Sequence, residues 1–435
     1  MEIRDPVHGS IYFSDGEVKV LDSPEYQRLR AIKQLGFSEF SFPGATHNRY
    51  LHSIGVCHIA GLIFDSIFKV YPFEKPSSKF RYKQIVRLGA LLHDIGHGPL
   101  SHTTEQVMPM VDELHIGIYQ KKNFVSDHKA SLYQKRRANH EDYTLKILTE
   151  SSLFETIKKE FKDIDPYHVA CLIDKNLQPH DNFFIDHGND LRPILSQIVS
   201  SELDADRMDY LERDSYFCGT TYGRIDSEWL IQNMTFLLRD RKMYLALNRR
   251  ALYSFDDFLI SRHHMHLMVY FHHKSIVYEE MLNKYLTSED CSFRLPADYK
   301  EYLGYTDYKL HEHLSQSKNL WAQRIAKRQP YKVLIELHNT KDSARPKMMQ
   351  DKLTSAGIDS IWASSKTRLS KYHTASEDNQ GDPIFVVDQY DQQDVPVQIS
   401  QSTEIFSKYE GTRIIDRIYV DPTKSNQSKD IIQGI

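Results

Sequence analysis

Residues 91–102 read LLHDIGHGPLSH, and the histidine–aspartate pair inside them organises the rest of the chain. Ile85, Leu88, Leu92 and Ile95 recur at helical spacing, so His93 and Asp94 come at the end of an apolar helical run. An imidazole and a carboxylate that are neighbours there can both turn toward one divalent cation. Two other stretches offer partners: His52 in NRYLHSIGV (48–56) and Asp206 in LDADRMDYLERD (203–214). Two His and two Asp make a mixed nitrogen/oxygen shell, which suits Mn, Fe, Co, Ni or Zn better than an all-oxygen Mg or Ca cage. A lone HD dipeptide arises by chance. The ordered set H, HD, D within these flanks is far more specific.

The surrounding sequence predicts mainly α structure. Tyr26, Leu29, Ile32 and Leu35 mark a helix from Pro24 to Leu35, with Ser23 as N-cap and Gly36 as terminator. Val56, Ile59, Ala60, Ile63, Ile67 and Val70 form another stripe that stops before Pro72. Leu191, Ile194, Leu195, Ile198 and Val199 lead into the segment that presents Asp206. After about residue 330 the texture changes. YKVLIELH (331–338), SIWASS (360–365), PIFVVD (383–388), VPVQIS (395–400) and RIIDRIYVD (413–421) read as strands, and KMMQDKLTSAGI (347–358) as one helix. The expected architecture is a helical domain over 1–330 with a short N-terminal β segment, then a small α+β domain over 331–435. TASEDNQGDP (374–383) reads as an exposed loop and TKSNQSKD (423–430) as a frayed tail. Residues 112–138, rich in Lys and Arg, interrupt the helical pattern. They read either as a solvated loop or as a lid whose cations meet phosphates.

At 435 residues the chain is long enough for one large domain and a smaller one. Its net charge of −4 gives no global basic field for nucleic acid. Cys57, Cys171, Cys218 and Cys291 lack CxxC spacing and read as reduced thiols. No apolar run was expected to approach the ~18–20 residues of a membrane span, and MEIRDP is unlike a signal peptide. The expected location is cytoplasmic.

These motifs resemble the HD-superfamily phosphohydrolases, and within them the branch of the deoxynucleoside triphosphate triphosphohydrolases. IRDPVHGSIYF (3–13), SPEYQRLRAIKQLG (23–36) and FPGATHNR (42–49) support the resemblance, which runs from about residue 3 to residue 280. It implies an HD domain with one divalent transition metal at His52, His93, Asp94 and Asp206, with additional Mg accompanying the nucleotide. It implies hydrolysis of a dNTP to deoxynucleoside and triphosphate. Acid/base and phosphate contacts fall on His97, His140 and Glu105, where Glu105 replaces the usual Asp. His102 reads as a phosphate contact or a support for the ligands. Nucleotide-holding positions fall on Gln34, Leu35, Arg49, Arg207, Tyr210, Asp214, Arg262, His266 and Tyr270.

Spacing adds to this. Asp206, Tyr210 and Asp214 stand at i, i+4, i+8, as do Arg262, His266 and Tyr270, with Lys274 a further turn on. If the two ladders face each other, the sugar lies between Tyr270 and the Tyr210/Asp214 pair. Asp22, Gln27 and Arg30 match positions at which tetrameric relatives recognise an activating guanine nucleotide; on physics alone Asp22 caps a helix and the other two are ordinary polar side chains facing solvent. Met1, Arg4 and His273 depart from that pattern. A homo-oligomer, dimer or tetramer, is implied. Other readings stay open here: a phosphatase or phosphodiesterase on another nucleotide (NTP, cyclic nucleotide or alarmone), a nucleotide-sensing regulatory protein, and a nucleic-acid binder using residues 121–137.

Overall fold

A computed structural model of the chain describes residues 1–133, 135–339, 344–367, 382–388, 390, 395–405 and 412–433. The stripe beginning at Val56 becomes the Arg49–Ile67 helix, capped by the Asn48 side chain, which accepts from the Leu51 amide. It packs against the Pro76–Leu92 helix on one side and the Ala205–Cys218 helix on the other. Ile54, Ile63, Leu88, Leu92, Met208 and Leu211 bury this shared face. By length and hydropathy the Arg49–Ile67 helix is apolar enough to cross a membrane, contrary to the sequence expectation, and 72% of its apolar window is buried inside the protein. It is the helix that carries His52.

The fold class is as expected: mainly helical, with an N-terminal β segment. Glu2–Asp5 and Gly9–Tyr12 form an antiparallel hairpin. Toward the C-terminus, Arg413–Val420 is the central strand of a three-stranded antiparallel sheet between Lys332–Asn339 and Ser360–Thr367. The Arg345–Ser355 and Ser425–Ile432 helices pack against this unit through Met349, Leu353 and Ile432. PIFVVD and VPVQIS do not join that sheet. Phe385–Val387 pairs in parallel with Lys242–Asn248, and Val397–Gln398 extends the same sheet. Ile384, Val386 and Ile399 are buried in the helical core, so residues on both sides of position 330 build one sheet.

Several local expectations are corrected. The helix from Pro24 ends at Gln27 and becomes a 3-10 turn over Arg28–Ala31. The Gln34 amide donates to the His47 carbonyl and the Arg49 amide to Ile32, pulling residues 32–34 into extended pairing with 47–49. The 423–430 tail is folded, a 3-10 turn over Pro422–Lys424 running into the Ser425–Ile432 helix. The 374–383 loop lies outside the described residues except at its last two positions. Residues 112–138 contain two short helices, Val111–Leu114 and Asp127–Ser131, and bury Ile116, Phe124 and Ala130. Several of their cations have local partners: Lys121 meets Asp127, and Arg136 grips both oxygens of Asp142 at 2.7 Å.

The Arg262 ladder also changes form. The α-helix Leu252–Met265 gives way to a π-helical turn over His266–Tyr270, and a new helix starts at His273. Lys274 is exposed on that second helix, so it does not continue the ladder. A π turn shifts the phase of the side chains, and such turns are frequent at functional sites.

Candidate active site

His93 ends the Pro76–Leu92 helix as its C-cap, and the chain turns sharply through Ile95 to His97. Gly96 permits this turn. A Cβ there would fall 2.2 Å from the His140 carbonyl oxygen, so the His140–Glu150 helix could not approach. The turn, the Arg49–Ile67 helix and the Ala205–Cys218 helix bring the four predicted ligands together. His52 Nε2 lies 3.0 Å from Asp206 Oδ1 and 3.6 Å from Asp94 Oδ2. His93 Nε2 lies 3.4 Å from Asp94 Oδ1 and 3.7 Å from Asp206 Oδ1. Asp94 is also held by Arg49 and by His97 Nε2, the latter at 3.2 Å.

This donor set fits a divalent cation. His93 Nδ1 meets the Ala90 carbonyl at 2.7 Å, while its Nε2 is buried without a hydrogen-bond partner and faces two carboxylates. Ligands about 2.0–2.2 Å from one ion stand about 3.0–3.6 Å from each other, close to the spacing found. Burial works against charge on His52, yet Asp206 and Asp209 raise its pKa to about 10. The pocket is therefore built for positive charge.

His52 is oriented from behind by residues that the sequence reading left without a role. Its Nδ1 meets Asp209 Oδ2 at 2.8 Å. Asp209 also accepts from Arg213 Nε and Nη2 at 2.8 and 2.9 Å, and its Oδ1 meets His8 Nε2 at 2.6 Å. Arg213 continues to Asp5 at 2.9 Å. The signal was present: Asp5 and His8 belong to IRDPVHG, and Asp209 and Arg213 to LDADRMDYLERD. Gly55 faces this network, and a Cβ there would fall 1.9 Å from Asp209 Oδ1. Gly55→Ala should cost about 1–3 kcal/mol by overpacking, lowering the melting temperature by roughly 1–3 °C in a chain of 435 residues. An unchanged thermal unfolding curve would show that the network yields freely.

A second cluster adjoins the first. His97, His102, Glu105 and His140 have donor atoms within 4.8 Å of one another. His140 Nδ1 meets Glu105 Oε1 at 2.6 Å, and His102 Nδ1 meets the same oxygen at 3.0 Å. The additional methylene of Glu105 thus still reaches both rings. Burial opposes its charge, but the two imidazoles hold the Glu105 carboxyl down at about 2. His97 stacks on His140 at 3.8 Å, and burial with Arg49 and His140 nearby drives its pKa well below the ordinary value.

The two ladders do face each other. Tyr210 and Tyr270 meet edge to face at 6.3 Å. The Tyr270 hydroxyl donates to Asp214 Oδ2 at 2.9 Å, while His47 Nε2 meets Asp214 Oδ1 at 2.7 Å. This contact closes the gap in which the sugar was expected, so a sugar cannot lie between Tyr270 and Asp214. Arg207 and Arg262 are each paired with a buried carboxylate, Asp204 at 2.5 Å and Glu202 at 2.7 Å. Arg49 reaches Asp94 and donates to Ser101 Oγ at 2.9 Å. Among the expected nucleotide residues, Gln34, Leu35, His102, His266 and Tyr270 line a cavity of about 560 Å³.

Asp22, Gln27 and Arg30 are engaged locally. Asp22 ends the Asp15–Leu21 helix, Gln27 Nε2 donates to the Leu21 carbonyl at 2.7 Å, and Arg30 Nε donates to Gln27 Oε1 at 2.8 Å. The Arg30 guanidinium also stacks 3.6 Å from the centre of the Tyr50 ring.

A largely buried His/Asp cluster fit to hold a divalent cation, on a helical scaffold and beside a histidine–carboxylate cluster, defines the class. Residues 49–214 match the HD domain and residues 225–357 the HD associated region, and the chain belongs to the HD-domain phosphohydrolase family. It is 29% identical over 333 residues to the uncharacterized protein MJ1154 of Methanocaldococcus jannaschii, covering 77% of this chain and 59% of that one. It is 28% identical over 353 residues to the deoxynucleoside triphosphate triphosphohydrolase SAMHD1 homolog of Dictyostelium discoideum, covering 79% and 62%. The chain thus spans less than two thirds of the length of these relatives. The crystal structure of a hypothetical protein from Aquifex aeolicus superposes with a TM-score of 0.74 at 25% identity, covering 100% of both chains.

Proposed function

We propose that this protein is a metal-dependent phosphohydrolase that converts a dNTP and water into a deoxynucleoside and triphosphate. The observation that carries the reading is the adjacency of the two clusters: a cradle for one divalent cation, and the His140–Glu105 pair at 2.6 Å. His52, His93, Asp94 and Asp206 would hold the cation. Bound there, it would polarise a phosphoryl oxygen and lower the pKa of water. Water oxygen bonds to the α-phosphorus, its surplus proton passing to solvent, and the bond from that phosphorus to the 5′ oxygen breaks. Glu105 fixes the His140 ring through Nδ1, leaving Nε2 to give a proton to the departing 5′ oxygen. His97, tied to Asp94 and stacked on His140, keeps both groups in place. Arg207 and Arg262 would meet the phosphates while sharing their charge with Asp204 and Glu202.

Deoxyribose selection rests on Tyr270. Burial and the neighbouring Asp214 push its phenol well above the ordinary pKa, so it stays protonated and bonded to that carboxylate. Its ring, which lines the cavity, is therefore fixed. A 2′-hydroxyl packed against it would lack a partner, at about 1–3 kcal/mol, or roughly ten- to a hundredfold in preference. Chromatographic product analysis with matched dNTP and NTP pairs tests both points. Free triphosphate is expected, with higher kcat/KM for dNTPs and a smaller difference in Tyr270→Ala. Orthophosphate or a monophosphate product would select a phosphatase or phosphodiesterase instead. Equal kcat/KM for dNTP and NTP would defeat the sugar assignment.

A further inference from the structure

His102, from the histidine–carboxylate cluster, and Tyr270 line one part of the 560 Å³ cavity. Another stretch of its wall is formed by Gln106, Ile276, Glu279, Glu280 and Asn283, most of it from the His273–Leu286 helix. With the sugar beside Gln34, Leu35 and Tyr270, a base attached to it extends along this wall. The wall is rich in acceptors, and neither Lys nor Arg lines the cavity. Glu280 is turned to Asn283 on the next helical turn. Glu279 makes no hydrogen bond or ion pair with any described residue. Burial, with Glu280 beside it, pushes the Glu279 carboxyl up to about 7. Glu279 is half-buried on the cavity wall, and a carboxylate there with no donor from the protein is stabilised by a ligand that brings one.

We infer that Glu279 reads the nucleobase and that the wall it anchors favours guanine. This rests on the dNTP reading of the same site. A carboxylate can accept two parallel N–H donors, as it does from an arginine fork. Guanine presents such a pair on its Watson–Crick edge, N1–H beside the N2 amine. Adenine and cytosine each place one amine next to a bare ring nitrogen, whose lone pair would face the second carboxylate oxygen. Thymine offers a single N–H between two carbonyls, the worst match to an acceptor-rich wall. Amide groups at Gln34 and Gln106 can donate to the guanine O6.

The test compares kcat/KM for the four dNTPs in the metal-loaded wild type and in Glu279→Gln. It is paired with calorimetric titration of 2′-deoxyguanosine and thymidine, which needs no turnover. The wild type should favour dGTP over dTTP by at least about tenfold, the scale of one hydrogen bond to a charged partner. Glu279→Gln keeps the shape of the side chain but exchanges one acceptor for a donor. It should reduce the dGTP:dTTP ratio by about the same factor, with melting temperature as the check on folding. Equal kcat/KM for dGTP and dTTP, or a ratio unmoved by the substitution, would overturn the base assignment and leave the triphosphohydrolase reading standing. If no dNTP yields triphosphate, that reading fails and the titration decides. Tighter, Glu279-dependent binding of deoxyguanosine would uphold the base assignment, and equal affinities would end it.

Discussion

Asp206→Ala is expected to strip the divalent metal and abolish turnover. Asp206 Oδ1 faces both imidazoles of the cradle, 3.0 Å from His52 and 3.7 Å from His93. Asp94 cannot replace it, because Arg49 and His97 already hold that carboxylate. Without Asp206 the cradle retains two nitrogens and one shared carboxylate, with no anion free to balance a dication. Metal polarisation contributes several kcal/mol to such reactions, so the loss should reach roughly three powers of ten or more. Elemental analysis and turnover measured on one preparation check this. Asp206→Asn, which keeps an oxygen but no charge, should retain partial occupancy. Full metal content and full activity in Asp206→Ala would remove that residue from the site.

His140→Gln should separate proton transfer from metal binding. The Glu105 contact fixes His140 Nδ1, and no described residue bonds its Nε2. Loss of a positioned general acid lowers turnover by about 10²–10⁴. The fall should appear in kcat more than in KM, with metal content unchanged. His97→Gln should behave differently. Its Nε2 lies 3.2 Å from Asp94, so removing the ring frees a carboxylate of the cradle and should alter metal retention as well. If His140→Gln loses the metal, that ring belongs to the metal centre and the proton donor must be sought elsewhere.

The elements carrying the cradle were legible because each follows a local rule. Apolar periodicity predicted the His52 helix, and the same rule placed the HD pair at the end of its own. What failed were features set by partners distant in sequence. Residues 24–35 have helical spacing, yet pairing of 32–34 with 47–49 breaks the helix. The Arg262–Tyr270 ladder looked regular, but the π turn at His266 could not be seen in its spacing. The closed Tyr270–Asp214 contact depends on how two helices meet. So does the exposure of Glu279 to the cavity: on spacing alone it is one acid among many on an amphipathic helix. Asp209 and His8 were visible as motif members, but their shared task required seeing both against one histidine.

The chain of contacts from Asp5 through Arg213 and Asp209 to His52 joins residues made at very different times. Asp5 and Arg213 are 208 positions apart. At about 5–20 residues per second, a growing polypeptide takes on the order of ten to forty seconds to span that interval. From residue 93 onward His52 and His93 have both been made, but until residues 206 and 209 the aspartates that complete the cradle and orient His52 have not. A chain interrupted before residue 206 therefore carries the histidines of the centre without the means to close it. Metal capture belongs to the finished helical domain, and the N-terminal hairpin is the piece that must wait.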